Sequence, residues 1–256
     1  VDWMYDGTNI LDSMYVVKGV FNSTTQDVDW AIDKVLYIPH DYAFDGASHA
    51  VGPNIAFSPD GMTGWIGFLG DLTEAASPSG QDSAAYAPCF IKTSDGGATW
   101  GAPIEMNMNN VPWISDTLKT LWVDSSGNPA SDGVATTAFD YDLVVDANGN
   151  PHMSATVGSG GDGYSIAGTA KFLGHFYSPD GGQTWDVDYM APILTLRGEH
   201  GTGSNTLTLD NYVQMSRDEA GDYLYFSWVD SDTTIIGFGE TTNSSPNLRI
   251  MGMRLS

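Results

Sequence analysis

The sequence predicts an all-β protein, a β-propeller of four-stranded antiparallel blades with long inter-strand loops, present as an incomplete set of blades. Three observations predict it. Helical periodicity is almost absent, while short runs rich in Val, Ile, Tyr, Phe and Trp recur between clusters of Gly, Asn, Asp, Ser and Pro. A unit of strand, Asp/Gly turn and strand then returns along the chain, which marks a repeat architecture. Finally, about 35 residues after the turn Asp of the first two units comes a second hairpin, so each repeat holds four strands, the content of one blade.

The elements follow in order, all within one propeller segment over 1–256. A divergent blade at about 1–50 rests on the strand-like runs Ser13-Met-Tyr-Val-Val-Lys18 and Asp33-Lys-Val-Leu-Tyr-Ile38. A blade at about 51–107 opens with Asn54-Ile-Ala-Phe-Ser-Pro-Asp-Gly61, turns into Thr63-Gly-Trp-Ile-Gly-Phe-Leu69 and closes with the hairpin from Phe90 to Trp100. The next, about 139–190, repeats this with Asp142 to Gly149, Pro151 to Thr156 and the hairpin from His175 to Trp185. The last, about 210–256, pairs Tyr212 to Asp218 with Asp222 to Trp228 and adds a strand from Leu248 to Leu255. A spacing of about 70 to 85 residues exceeds that of compact blades, so long loops are required. Roughly three and a half blades fall short of the four that closure needs.

Composition sets the setting. With 41% hydrophobic and 12% aromatic residues, the chain has ample material for a packed core. The 32 acidic against 9 basic residues, a formal charge of -23, are spread along the sequence. Such a surface repels nucleic acid and anionic lipid, because phosphate binding needs clustered Lys or Arg. It suits an extracellular or cell-surface location. The single Cys89 rules out an intrachain disulfide, and its apolar run Tyr86 to Ile91 reads as a buried thiol. No run approaches the roughly 18 apolar residues of a membrane span, so membrane insertion is not expected. The structured-looking start at Val1-Asp-Trp-Met and the strand-like end suggest a piece of a longer chain or assembly.

One motif narrows the family. Thr93-Ser-Asp95-Gly-Gly97-Ala-Thr99-Trp100 and Ser178-Pro-Asp180-Gly-Gly182-Gln-Thr184-Trp185 both match Ser/Thr-x-Asp-x-Gly-x-Thr-Trp. Two full matches at the same place in a longer repeat are improbable by chance. This pattern resembles the Asp-box, or BNR repeat, of the sialidase-like β-propeller superfamily, of which the chain would be a non-catalytic or partial member. Ser58-Pro-Asp60-Gly-Met-Thr-Gly-Trp65 lacks the Gly and Thr and reads as a degenerate or coincidental match. The chemistry of the box is structural: Asp and Ser/Thr accept turn N–H groups, Gly takes positive φ, and Trp folds back as an apolar plug. The resemblance implies that the boxes join the third and fourth strands of a blade, opposite the face used for catalysis.

Ligand contacts are then expected on the other end, from the loops at about 70–85, 107–138, 157–170, 191–210 and 231–246, since long loops on a rigid scaffold concentrate binding residues. The candidates are Trp113, Trp122, Tyr164, Arg197, Glu199 and His200, with aromatic planes to stack on sugars and acids to hold hydroxyls. Their structural reading is that the Trp residues plug gaps between blades and Arg197 pairs with Glu199. The resemblance would require for sialidase chemistry an arginine triad, commonly with an Arg-Ile-Pro motif, but the chain has only Arg197, Arg217, Arg249 and Arg254 and no such motif. Other glycoside hydrolases need two carboxylates, which 32 acids cannot discriminate. No Gly-x-Ser-x-Gly elbow is present.

Metals fare no better. Asp146-Ala-Asn148-Gly-Asn150 starts like a calcium loop, but Pro151 stands where Gly is needed and Val157 where Glu is needed, so a β-turn is expected. The acidic loops leave room for a structural calcium, and no other cofactor is implied. His40, His49, His152, His175 and His200 show no pair at ligand spacing, and His152 and His175 fall in strands, where a core or edge role is expected. The leading expectation is a non-enzymatic secreted or surface module that binds a glycan or an extracellular protein. The alternatives are a sialidase-like glycoside hydrolase completed by residues outside this chain, and a purely architectural module of an adhesin or filament.

Overall fold

The computed structural model describes residues 1–5, 10–38, 52–70, 72, 86–121, 126–128, 135–159, 171–193, 198–200, 207–209, 211–231 and 246–255, of which 10, 109, 159, 198–200, 207–209, 231 and 246 by backbone alone. Strands β1 (Asp2–Tyr5), β2 (Ile10–Asn22) and β3 (Asp27–Tyr37) form a first sheet in the order β1-β2-β3. The second sheet is β4 (Asn54–Phe57), β5 (Gly64–Gly70), β6 (Ala87–Thr93) and β7 (Ile104–Glu105), in sequence order. Helix α1 (Pro112–Leu121) follows, entered through a 3-10 turn at Met108–Asn110. The third sheet is β8 (Ala135–Val145), β9 (Pro151–Ser159), β10 (Lys171–Tyr177) and β11 (Asp186–Pro192). A two-stranded ribbon, β12 (Gly198–His200) with β13 (Leu207–Leu209), precedes the last sheet of β14 (Gln214–Arg217), β15 (Tyr223–Ser231) and β16 (Pro246–Arg254). Every pairing is antiparallel between neighbours in sequence, and the sheets form an open array of blades, an incomplete β-propeller.

Three apolar layers join the four larger sheets. Trp3, Met14, Val16 and Ile38 of the first meet Ile66, Phe68, Cys89 and Ile91 of the second. Trp65, Leu69 and Phe90, from the other face of the second, meet Leu143, Val145, Met153, Phe172 and Phe176 of the third. Leu173, Ala191 and Ile193 then meet Met215, Leu224, Phe226 and Trp228. All seven residues of β5 are buried, because both of its faces are covered, so its sequence reads as an apolar run without alternation.

Strand β8 shows how the period of two sets the array. Tyr141, Leu143 and Val145 point into the layer shared with the second sheet. The buried Tyr141 hydroxyl accepts from the N–H of Asn54 (2.9 Å) and lies 2.8 and 2.7 Å from the carbonyls of Gly52 and Gly67, to one of which it donates. Its even-numbered neighbours turn the other way. Asp140 and Asp142 accept the N–H groups of Val213 (2.7 Å) and Met215 (2.9 Å), satisfying main-chain donors of the last sheet.

Two expectations need correction. The stretch 107–138, read as one long loop, contains α1, with Pro112 at its first position and Ile114 and Leu118 buried against the layer between the second and third sheets. The two strand-like runs near the N-terminus are parts of much longer strands, joined by a turn in which Asn22 accepts the N–H groups of Thr24 and Thr25.

Candidate functional site

The two ends of the strands are built differently. At one end, five turns each centre on an Asp that accepts main-chain N–H groups. In the box at 93–100, Asp95 accepts from the Thr99 N–H (2.9 Å) and hydroxyl (2.6 Å), and Thr93 accepts from Gly97 N–H (3.0 Å). In the box at 178–185, Asp180 accepts from the Thr184 N–H (2.8 Å) and hydroxyl (2.7 Å), and Ser178 from Gly182 N–H (2.6 Å). Each box joins the third and fourth strands of its sheet, β6 to β7 and β10 to β11. Hydrogen bonds hold both carboxyls down at about 2, led by the Thr99 hydroxyl for Asp95 and the Thr184 N–H for Asp180.

The other three turns join first and second strands. Asp60 accepts from Ser58 hydroxyl (2.6 Å) and Met62 N–H (2.9 Å), so the segment that departs from the motif still folds by the same chemistry. Asp146 accepts from the N–H groups of Asn148 (2.9 Å) and Asn150 (2.7 Å), in a β-turn as expected from Pro151. Asp218 accepts from Asp222 and Tyr223 (2.8 and 2.9 Å). The turns also touch one another: Gly96 N–H donates to Met62 carbonyl (2.9 Å), Gly181 N–H to Asn150 Oδ1 (3.0 Å), and Lys92 Nζ to Gly181 carbonyl (2.7 Å). Trp185 stacks on Phe90 at 4.2 Å between ring centres, and Trp100 meets Phe57 edge to face.

The opposite end has a buried polar floor. Tyr86 N–H donates to Thr136 Oγ1 (3.0 Å), and Thr137 N–H to Tyr86 carbonyl (3.0 Å). Thr156 Oγ1 donates to Asn211 Oδ1 (3.4 Å), and Asn211 Nδ2 to Val229 carbonyl (3.0 Å). Lys171 and Asp230 lie there too, at 5% and 3% exposure. Burial drives the Lys171 ammonium down to about 8, against the pull of Asp230.

A groove of about 470 Å³ opens beside β14, lined by Asp142, Gln214, Ser216, Tyr225, Ser227 and Ile250 among others. Register explains the lining. Gln214, Ser227 and Ile250 sit opposite one another across β14, β15 and β16, as do Ser216, Tyr225 and Gly252, so both rows share the face turned away from the third sheet. Gly252 lies opposite Tyr225, whose ring stands as a half-exposed plane within ordinary contact distance, 3.6 Å, of where a Cβ on that glycine would be. Asp142 bounds the groove on the β8 side, and burial raises its carboxyl pKa.

Of the residues expected to bind ligand, Trp113 lies on α1, half-buried, with its ring 5.6 Å from Phe172. Trp122, Tyr164 and Arg197 lie outside the described residues, and the side chains of Glu199 and His200 on β12 do also. Arg217, Arg249 and Arg254 all belong to the last sheet, on β14 and β16. His152 and His175, 23 residues apart, stand with Nδ1 and Nε2 2.9 Å from each other. Strand register was the signal that could have found them: Tyr177 is opposite His152 and Ser154 opposite His175, which makes the two imidazoles diagonal neighbours on one face. The groove around Tyr225 was missed for the same reason. Among the described residues no three His, Cys, Asp or Glu are grouped to hold a metal ion, and no helix is long and apolar enough to cross a membrane.

No protein-family model and no curated protein matches the sequence. Among solved structures, a Hadza microbial sialidase is 14% identical, with 82% of this chain and 38% of that one aligned at a TM-score of 0.38. A thermostable family-43 glycoside hydrolase is 13% identical over 80% of this chain and 54% of its own, with a TM-score of 0.40. The NanB sialidase from Streptococcus pneumoniae is 8% identical over 96% of this chain and 28% of its own, with a TM-score of 0.36. This chain thus spans 28% to 54% of the length of those proteins. In the arrangement of its strands, and at low identity, it is similar to sialidase-like proteins.

Proposed function

We propose that this chain is a glycan-binding propeller module of a secreted or cell-surface protein, with the groove beside β14 as its binding face. The observation that carries the reading is the meeting of a half-exposed Tyr225 plane with Gln214, Ser216, Ser227 and the Asp142 carboxyl around one groove. An aromatic plane takes the apolar face of a sugar ring, and amide, hydroxyl and carboxylate groups take its hydroxyls. The excess of 32 acids over 9 bases supports an extracellular setting and a neutral or cationic partner. The test is a glycan array followed by calorimetry on the best ligand. Tyr225→Ala is expected to weaken binding at least about tenfold while leaving the circular dichroism unchanged. Failure of the wild-type chain to bind any glycan would leave the protein-binding or architectural reading in its place.

A second reading, glycan cleavage, has one observation in its favour. Asp142, with its raised pKa, and Asp140 both turn from β8 toward the last sheet, so two carboxyls that an acid and base pair would require stand on one side of the strand. Against it, both carboxylates accept main-chain N–H groups of the last sheet. Release of sugar from a panel of sialylated and other glycans, abolished by Asp142→Asn, would establish it.

A further inference from the structure

On the face of the third sheet turned toward the fourth, a chain of titratable groups crosses three strands. Asp188 Oδ2 on β11 lies 3.2 Å from His175 Nδ1, and His175 Nε2 on β10 lies 2.9 Å from His152 Nδ1 on β9. Beyond it, His152 Nε2 stands 3.6 Å from Asp146 Oδ2, and this nitrogen is buried without a hydrogen bond. The rings are nearly coplanar, 9° apart, and the Tyr177 ring stacks against both. Phe226 of the last sheet seals His175 edge-on, and the two rings are 3% and 1% exposed. The charged groups facing the pair are Asp146 and Asp188, with Asp186 reaching Tyr177.

Proton counting gives this arrangement a property. Three gaps separate the four groups, and two neutral imidazoles supply only two N–H donors. One gap is then left without a donor, and the 3.6 Å separation of the unpaired His152 Nε2 from Asp146 Oδ2 marks it as that one. One added proton fills it, giving one imidazolium between two carboxylates with a donor in each gap. A second proton cannot be held, because both rings would then point N–H groups at each other across 2.9 Å.

We propose that His152 and His175 form a single-proton site that takes up one proton between them as the pH falls and thereby clamps His152 to the turn at 146–150. The open gap lies at His152 Nε2, so the added proton enters there, while burial holds His175 below the ordinary histidine range. Asp146 stays ionised: burial raises its pKa, but His152 and the Asn150 donors outweigh it. The clamp reaches further than one strand, since Asn150 Oδ1 holds Gly181 of the second box and Ala147 packs on Gly221 of the next turn. Acid would tighten the turn end of the third blade.

Side-chain nitrogen NMR of the whole chain between pH 8 and 5 tests this. Expected is one new N–H on His152 and an unprotonated His175 Nε2 throughout, with slower amide exchange at Asn150 and Gly181 once the intrinsic pH dependence is divided out. Asp146→Asn should weaken the proton affinity of His152 about tenfold, a shift of about one pH unit. If that variant fails to fold, the wild-type titration decides alone. Both rings charging together near the usual histidine value, neither taking a proton while the chain is folded, or unchanged amide exchange would each overturn the proposal.

Discussion

At the turn end of the blades, each central Asp closes on its own turn, within five residues along the chain, and only a few bonds, such as Lys92 to Gly181, join one turn to the next. At the loop end the buried polar groups are satisfied across sheets: Tyr86 meets Thr136, and Thr156 meets Asn211. A charged pair, Lys171 and Asp230, is buried there as well. The first arrangement is local and repeats with the sequence. The second is assembled from distant segments and contains groups whose burial costs stability unless it serves another end.

The sharpest way to break this contrast is to disturb a turn where it touches the core. Gly182 has φ of +100° and a Cβ there would stand 2.6 Å from the buried Trp65 ring. Gly182→Ala should therefore cost about 3 kcal/mol in urea unfolding. Gly61→Ala, at φ of +71° with open space around it, should cost about 1 kcal/mol. Tyr141→Phe strips one hydroxyl from Asn54 N–H and from the carbonyls of Gly52 and Gly67, and should cost about 2 kcal/mol in the same measurement.

Titration separates the two ends. Lys171 is depressed to about 8 when folded, so between that value and 10.5 the unfolded chain holds a proton that the native chain has lost. Stability contributed through this group must rise with pH across that window. Lys171→Met should remove the rise in a series of melting curves from pH 7 to 10. Asp95 is depressed from 3.8 to about 2, so its contribution is full above 3.8 and is lost as pH falls toward 2. Asp95→Asn should flatten that acid limb slightly, and a variant with an acid limb as steep as the parent's would break the contrast.

How legible each region was follows from the same distinction. The boxes could be read because Thr93, Asp95, Gly97 and Thr99 act on one another within a single turn, so residue type and spacing carry the whole interaction. Even Asp60, whose segment lacks the motif's Gly and Thr, keeps the bond from the hydroxyl two residues before it and accepts one turn N–H, so part of the chemistry survives without the consensus. The four-strand blades were legible from hairpin periodicity. Helix α1 was not, because in its ten residues only Ile114 and Leu118 are fully buried and Trp113 packs beside them half-buried, too short a stripe for a clear period. The groove at Tyr225 and the His152–His175 contact depend on register between strands, which has to be worked out hairpin by hairpin because residue spacing alone does not give it.

The alternation of Tyr141 with Asp140 and Asp142 on β8 also bears on the order in which the molecule can assemble. The bond from Asn54 to Tyr141 closes over 87 residues, and those from Val213 and Met215 to Asp140 and Asp142 over 73. As the chain leaves the ribosome, β4 must wait for β8 before its first N–H is satisfied, and β8 must wait again for β14. Long closures of this kind slow folding. One short stretch, Asp140-Tyr141-Asp142, is therefore where nascent sheets made at different times are brought into a common register.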